Sequence, residues 1–124
     1  MPDPLRPGDI LLVTLGRHIP GGHEQEGHRP VVVVGVPERT GKPRFPMVVA
    51  VPLTTQEGEW AANSPRLYPR LDAGAGGLPS ASIALLDNVR GVDAQRVLRR
   101  IGMLTAEQFA PIRDGLRRML GLRK

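Results

Sequence analysis

Apolar residues fall in short, separated runs through the first two-thirds of the chain, and these runs predict strands. Ile10-Leu11-Leu12-Val13-Thr14-Leu15 opens after the turn formers Arg6-Pro7-Gly8-Asp9. Val31-Val32-Val33-Val34-Gly35-Val36 is a nearly unbroken β-branched run, the pattern of a strand buried on both faces. Met47 to Leu53 predicts a third strand, with Pro52 near its end where a missing N–H is tolerable. Residues 66–71 alternate but contain Pro69, so they predict an edge strand at best. Ser82 to Leu86 gives a fifth strand and Arg99 to Leu104 a weaker sixth. Glycines at 21, 22, 74, 76 and 77 mark loops between them. Many short strands without intervening helices favour a small barrel over a parallel sheet.

The last segment changes period. Phe109, Ile112, Leu116, Met119 and Leu120 form the stripe of an amphipathic helix. Thr105-Ala106-Glu107-Gln108 is a capping box, and Leu104 with Phe109 occupies the staple positions. Pro111 lies past the first turn, so it predicts a kink or a separate turn over 105–110. Asp114 and Arg118 predict an i,i+4 ion pair.

Composition narrows the class. At 124 residues the chain fits one domain, and 40% hydrophobic residues suffice for a core. With 15 Gly and 13 Pro, its elements must be short and joined by many loops. The absence of Cys excludes disulfides and cysteine-based metal sites, and suits a reducing compartment. No apolar run approaches the roughly 20 residues of a membrane-spanning helix, and Met-Pro-Asp-Pro is no signal peptide. The expectation is a soluble cytoplasmic domain without a membrane partner.

The net charge of +5 is unevenly placed. Residues 1–89 hold eight basic and nine acidic side chains, whereas residues 90–124 hold nine basic and three acidic. A polyanionic partner fits that tail, and so does a plain solvated basic face. The only aromatics are Phe45, Trp60, Tyr68 and Phe109, too few for a long base-stacking track.

Three polar clusters could carry chemistry. Gly21-Gly22-His23-Glu24-Gln25-Glu26-Gly27-His28-Arg29-Pro30 is the densest. Spacings of five between His18, His23 and His28 put successive residues on opposite faces of a strand, so metal ligation is not expected. Anion handling suits the loop better. Arg29 stands on the rigid base of Pro30, the glycines let backbone N–H groups approach a phosphate, and the histidines can exchange protons near neutral pH. The plain alternative is a polar hairpin loop. Thr54-Thr55-Gln56 at the end of the third strand lines a pocket or satisfies turn backbone. Leu86-Asp87-Asn88-Val89-Arg90 places an acid, an amide and a base at one turn, or is simply an Asp-initiated turn. Phosphate-binding loops, serine elbows and cysteine nucleophiles are lacking.

In this order the clusters resemble the MazF/PemK family of toxins from bacterial toxin–antitoxin pairs. The resemblance runs from Arg6-Pro7-Gly8-Asp9-Ile10 through the loop at 22–30 and Val51-Pro52-Leu53-Thr54-Thr55-Gln56. It continues in Ile83 to Asp93 and in the closing helix with Leu116-Arg117-Arg118-Met119-Leu120. It implies a mainly β fold, an SH3-like small barrel (MazF/CcdB-type) with a C-terminal α-helix. One domain then covers 1–124, with the barrel over about 6–104 and the helix over about 105–121.

The family's activity implies a homodimeric, ribosome-independent endoribonuclease that cuts single-stranded RNA, including mRNA, at short sequences. It needs no metal or other cofactor and leaves 2′,3′-cyclic phosphate and 5′-OH ends, inhibiting translation and growth. Arg29 matches the family's catalytic arginine and Thr54 its second catalytic position. His23 matches a histidine used by some members, and Asp87 an acid implicated in some. Glu24, Gln25, His28, Thr55 and Gln56 stand in the same motifs as candidate catalytic or RNA-binding residues. Certain members carry a catalytic Arg two positions before that acid, where Leu85 stands here, so the chemistry falls to Arg29 and Thr54. The resemblance also implies a cognate acidic, MazE-like antitoxin. Loops 37–46 and 56–65 are expected to set the RNA sequence that is cut. Two alternatives are a CcdB-like gyrase inhibitor and an SH3-like RNA-binding module without catalysis.

Overall fold

The computed structural model describes residues 4–15 and 27–122. Their strands are β1 (Asp9–Leu15), β2 (Gly27–Gly35), β3 (Met47–Thr54), β4 (Arg70–Leu71), β5 (Ser82–Ala84), β6 (Arg90–Asp93) and β7 (Val97–Met103). A one-turn helix α1 (Glu59–Ala62) follows β3, and the long helix α2 (Ala106–Met119) follows β7. Neighbours in the antiparallel sheet run β4-β5-β3-β2-β1-β7, with β6 also on β3. One edge of β3 thus serves two strands in succession: β6 along Met47–Ala50, then β5 at Leu53 and Thr54. Register shifts in β1–β7 and β2–β3 add bends, and the sheet curls into a half-barrel.

The valine run of β2 is buried on both faces, as its lack of alternation requires. Val32 joins Ile10, Val51, Leu53, Leu86 and the helix residues Ile112 and Leu116. Val31 and Val33 point the other way, into Leu11, Val13, Val48, Ala50 and Val92. The mainly β fold with a C-terminal helix stands as expected.

Four local expectations need correction. The predicted edge strand at 66–71 shrinks to Arg70–Leu71, because Leu67 and Tyr68 donate their N–H groups to the Ser64 carbonyl in a turn. The fifth strand ends at Ala84, and Leu86–Asn88 forms a 3-10 turn. Helix α2 runs unbroken through Pro111. The carbonyl robbed of its partner, that of Glu107, lies on an exposed residue where water can replace the lost bond. Asp114 lies 3.7 Å from Arg113 Nε rather than pairing with Arg118. The capping box does form, with Thr105 Oγ1 accepting from Gln108 N and Gln108 Oε1 from Thr105 N.

The turn Arg6-Pro7-Gly8-Asp9 is structural. The Asp9 carboxylate is almost wholly buried and accepts from Arg6 N at 2.9 Å and from Arg100 Nη2 at 3.1 Å. One cation of the basic C-terminal third is therefore committed to the fold.

Candidate functional site

β3 emerges from the core at Thr54, which is buried, and Thr55 beyond it is exposed. Thr54 Oγ1 accepts from Gln56 N at 3.1 Å, so the hydroxyl closes a turn that starts the next loop. Glu57 then meets Arg70 of β4 in a two-point ion pair, with Oε1 2.6 Å from Nη2 and Oε2 3.0 Å from Nη1. The hydrogen bond from Arg70 holds the Glu57 carboxyl below its ordinary range. Both side chains are about half exposed, so the pair orients the loop more than it stabilises the fold.

The loop continues into α1, which carries Trp60. Its ring meets Tyr68 edge to face, with centroids 4.9 Å apart. Tyr68 OH donates to Asp87 Oδ2 at 2.6 Å. That bond, helped by desolvation and the negative charge of Asp87, raises the Tyr68 hydroxyl above its ordinary value of 10.0. Asp87 sits on the 3-10 turn whose Leu86 is fully buried, so the core fixes the turn that carries the acid. Thr54, Gln56, Trp60, Tyr68, Leu85, Asp87 and Asn88 line an open pocket of about 310 Å³.

Arg29 lies on the exposed start of β2, next to Pro30 and opposite Val13 of β1. On its other side β2 pairs with β3 through Val33 with Ala50, Val32 with Val51 and Val31 with Pro52. Val31 with Pro52 is the last pair at this end, and Arg29 and Thr54 each lie two residues beyond it on the two neighbouring strands.

A family model of the PemK-like, MazF-like toxins of type II toxin–antitoxin systems matches residues 6–120, nearly the whole chain. The chain belongs to this family. Solved structures agree on the fold of the toxin. MazF from Deinococcus radiodurans superposes with a TM-score of 0.69 at 23% identity, over 94% of this chain and 96% of that one. An endoribonuclease from a Mycobacterial species, solved with its cognate antitoxin, gives 0.69 at 22% identity over 100% and 99%. The Mycobacterium tuberculosis toxin MazF-mt6 gives 0.68 at 22% identity over 96% and 100%. No curated protein sequence matches the toxin.

Of the residues singled out by sequence, Thr54, Gln56 and Asp87 meet around one pocket of the toxin. Thr55 is exposed at the start of the same loop, and His28 is exposed on β2 opposite Thr14. His23, Glu24 and Gln25 lie outside the described residues. Among the described residues no group of three His, Asp or Glu side chains is placed to hold a metal ion, and no helix is long and apolar enough to cross a membrane. Leu85, which stands where certain members carry an Arg, is a buried wall of the pocket. Sequence reasoning missed Trp60 and Tyr68, and it placed Asn88 only as the amide of the turn at 86–90. Two of only four aromatics meeting at one pocket is a tertiary fact, and the spacing of 60 and 68 carries no signal of it.

Proposed function

We propose that this toxin is a sequence-specific, metal-independent endoribonuclease acting on single-stranded RNA. Its family membership supports toxin action, and its likeness in fold to a MazF and to an endoribonuclease supports RNA cleavage. The observation that carries the reading is the gathering of Thr54, Gln56 and Asp87 at one pocket, with Arg29 on the strand that neighbours the one ending at Thr54.

The chemistry asks little of the protein. The RNA's own 2′-OH attacks the adjacent phosphorus, the new O2′–P bond forms, and the P–O5′ bond breaks. A 2′,3′-cyclic phosphate and a 5′-OH remain. One proton leaves the 2′-OH and one must reach O5′. The guanidinium of Arg29 offsets the charge that develops on the phosphoryl oxygens, and the Thr54 hydroxyl donates a hydrogen bond to one of them. Arg29 is a poor base, since a guanidinium does not give up its proton in a protein. Proton transfer therefore falls to other side chains, with His23, His28 and Asp87 as candidates, and Glu24, Gln25, Thr55 and Gln56 hold the RNA.

The toxin acts as a homodimer in the cytoplasm, where mRNA is found. Leu98 and Met103 stand about half exposed on β7, at the edge of the sheet, and suit burial against a second copy. The cognate antitoxin is an acidic, MazE-like chain, whose charge complements the exposed Arg96, Arg99, Arg113 and Arg118. The relative solved with its cognate antitoxin supports this pairing. Incubating the purified toxin with a defined RNA in EDTA tests the reading. Cuts ending in cyclic phosphate are expected; intact RNA favours a gyrase inhibitor or a plain RNA binder.

A further inference from the structure

The pocket beside Thr54 is built more firmly than phosphate chemistry alone requires. The Tyr68 ring is held at its far end by the hydrogen bond to Asp87. The Trp60 indole stands edge to face against it and keeps 41% of its surface exposed. The loop carrying Trp60 is tied down twice, by Thr54 Oγ1 to Gln56 N and by Glu57 to Arg70. Gly58 lies directly against the indole, and a Cβ there would clash with its Nε1 and leave a second contact of 2.5 Å to Cδ1. A large aromatic surface is thus fixed in position and left open to solvent. At about 310 Å³ the pocket lies at the small end of ligand sites, roughly 300–1,000 Å³.

Its polar edge is acceptor-rich. An ionised carboxylate offers about four lone-pair sites, and Tyr68 uses one of those of Asp87. Asn88 adds an amide beside it. A planar ligand with an amino donor on its edge satisfies this arrangement. A second carboxylate does not, which disfavours the acidic antitoxin chain as the occupant.

We propose that this pocket is a nucleobase subsite for a nucleotide flanking the scissile phosphate. Trp60 supplies the stacking surface, Tyr68 backs it, and Asp87 with Asn88 reads an exocyclic amino group. Adenine, cytosine and guanine each carry such a group. Uracil presents carbonyl oxygens on either side of its one ring N–H, and these repel a carboxylate. The toxin therefore discriminates against uridine at one position beside the cut. This inference rests on the endoribonuclease reading and names where that activity acquires part of its sequence preference.

The test uses the full-length toxin, a set of short RNAs that vary each nucleotide flanking the mapped cut, and the same RNAs blocked by 2′-deoxy substitution at the cut. Trp60 is the only tryptophan, so its fluorescence reports the pocket alone. Blocked RNA quenches it, and an acidic peptide does not. Trp60→Ala weakens blocked-RNA binding about 5- to 100-fold, the range for loss of one stacked base. Gly58→Ala, which retains the indole but displaces it, weakens binding in the same direction. Wild type cuts the RNA with uridine at the read position about 10- to 100-fold more slowly. Asp87→Asn narrows that ratio, because its amide can donate to a uracil carbonyl. Cleavage by wild type with unchanged binding in Trp60→Ala and an unchanged uridine ratio in Asp87→Asn overturns the subsite alone. Quenching by the acidic peptide but not by blocked RNA overturns it in favour of the antitoxin as occupant. A wild type that neither cuts nor binds any RNA overturns the endoribonuclease reading and the subsite together.

Discussion

Tyr68 donates its hydroxyl proton to Asp87 Oδ2 across 2.6 Å, tying the segment after α1 to the turn after β5. The bond joins residues 19 apart in sequence and fixes the acid and the aromatic wall of the pocket in one step.

This bond makes the pocket sensitive to alkaline pH. The folded-state pKa of Tyr68 is raised above its ordinary 10.0, so whatever the bond contributes to stability is fully present below pH 10. It is lost as pH rises through the raised value. Tyr68 is the only tyrosine, so the ultraviolet absorbance of tyrosinate reports it without interference. The folded protein should titrate above pH 10, and Asp87→Ala should bring the midpoint down towards it. An identical midpoint in both proteins would contradict the bond.

Helix α2 presses on the same region through Gly115. A Cβ at this position would clash with Leu86 Cδ1 and lie 2.6 Å from the Arg66 carbonyl oxygen. Alanine's better helix propensity favours the change by up to about 1 kcal/mol. Overpacking costs typically about 1–3 kcal/mol, and a backbone oxygen cannot swing aside as a side-chain end can. Gly115→Ala should therefore destabilise the protein by roughly 1–2 kcal/mol in a urea titration. Increased stability would show that the helix stands further off.

Pro111 should have the opposite character. It sits inside an unbroken helix, where proline costs about 3 kcal/mol relative to alanine. Pro111→Ala restores a donor to the Glu107 carbonyl, and thermal unfolding should shift upward by several degrees. An unchanged or lower Tm would mean that the helix already accommodates the ring without cost.

The sequence made the strands of the core legible wherever a strand had its own apolar pattern. The β2 valines predict burial on both faces, and both faces are buried. β6 escapes notice because Arg90-Gly91-Val92-Asp93 has a single buried apolar residue; it is a strand only through its backbone pairing with Met47–Ala50. Pro111 misleads because propensity describes an isolated helix, whereas Ile112 and Leu116 anchor this one in the core. At the site, Thr54, Gln56 and Asp87 were legible as motif residues. Trp60 and Tyr68 were not, since their meeting depends on the β4–β5–β3 pairing and on the Glu57–Arg70 pair.

Thr54 allows the hydroxyl to be separated from its bulk. Thr54→Val keeps the shape but removes both the acceptor for Gln56 N and the proposed donor to the phosphate. Cleavage should fall by about 10²–10³, the usual cost of one donor to a developing oxyanion. Thr54→Ser retains the hydroxyl and should keep most of the rate. Equal rates for Thr54→Val and wild type in a single-turnover assay would remove Thr54 from the chemistry.

The most direct measurement compares wild type and Arg29→Ala on one defined RNA in EDTA, with analysis of the product ends. Arg29 is exposed on β2, so its removal should leave circular dichroism and thermal unfolding nearly unchanged. Wild type is predicted to leave 2′,3′-cyclic phosphate and 5′-OH ends, and Arg29→Ala to leave the RNA intact. Cleavage by Arg29→Ala at the wild-type rate, or dependence of wild type on a divalent cation, would contradict the proposed mechanism.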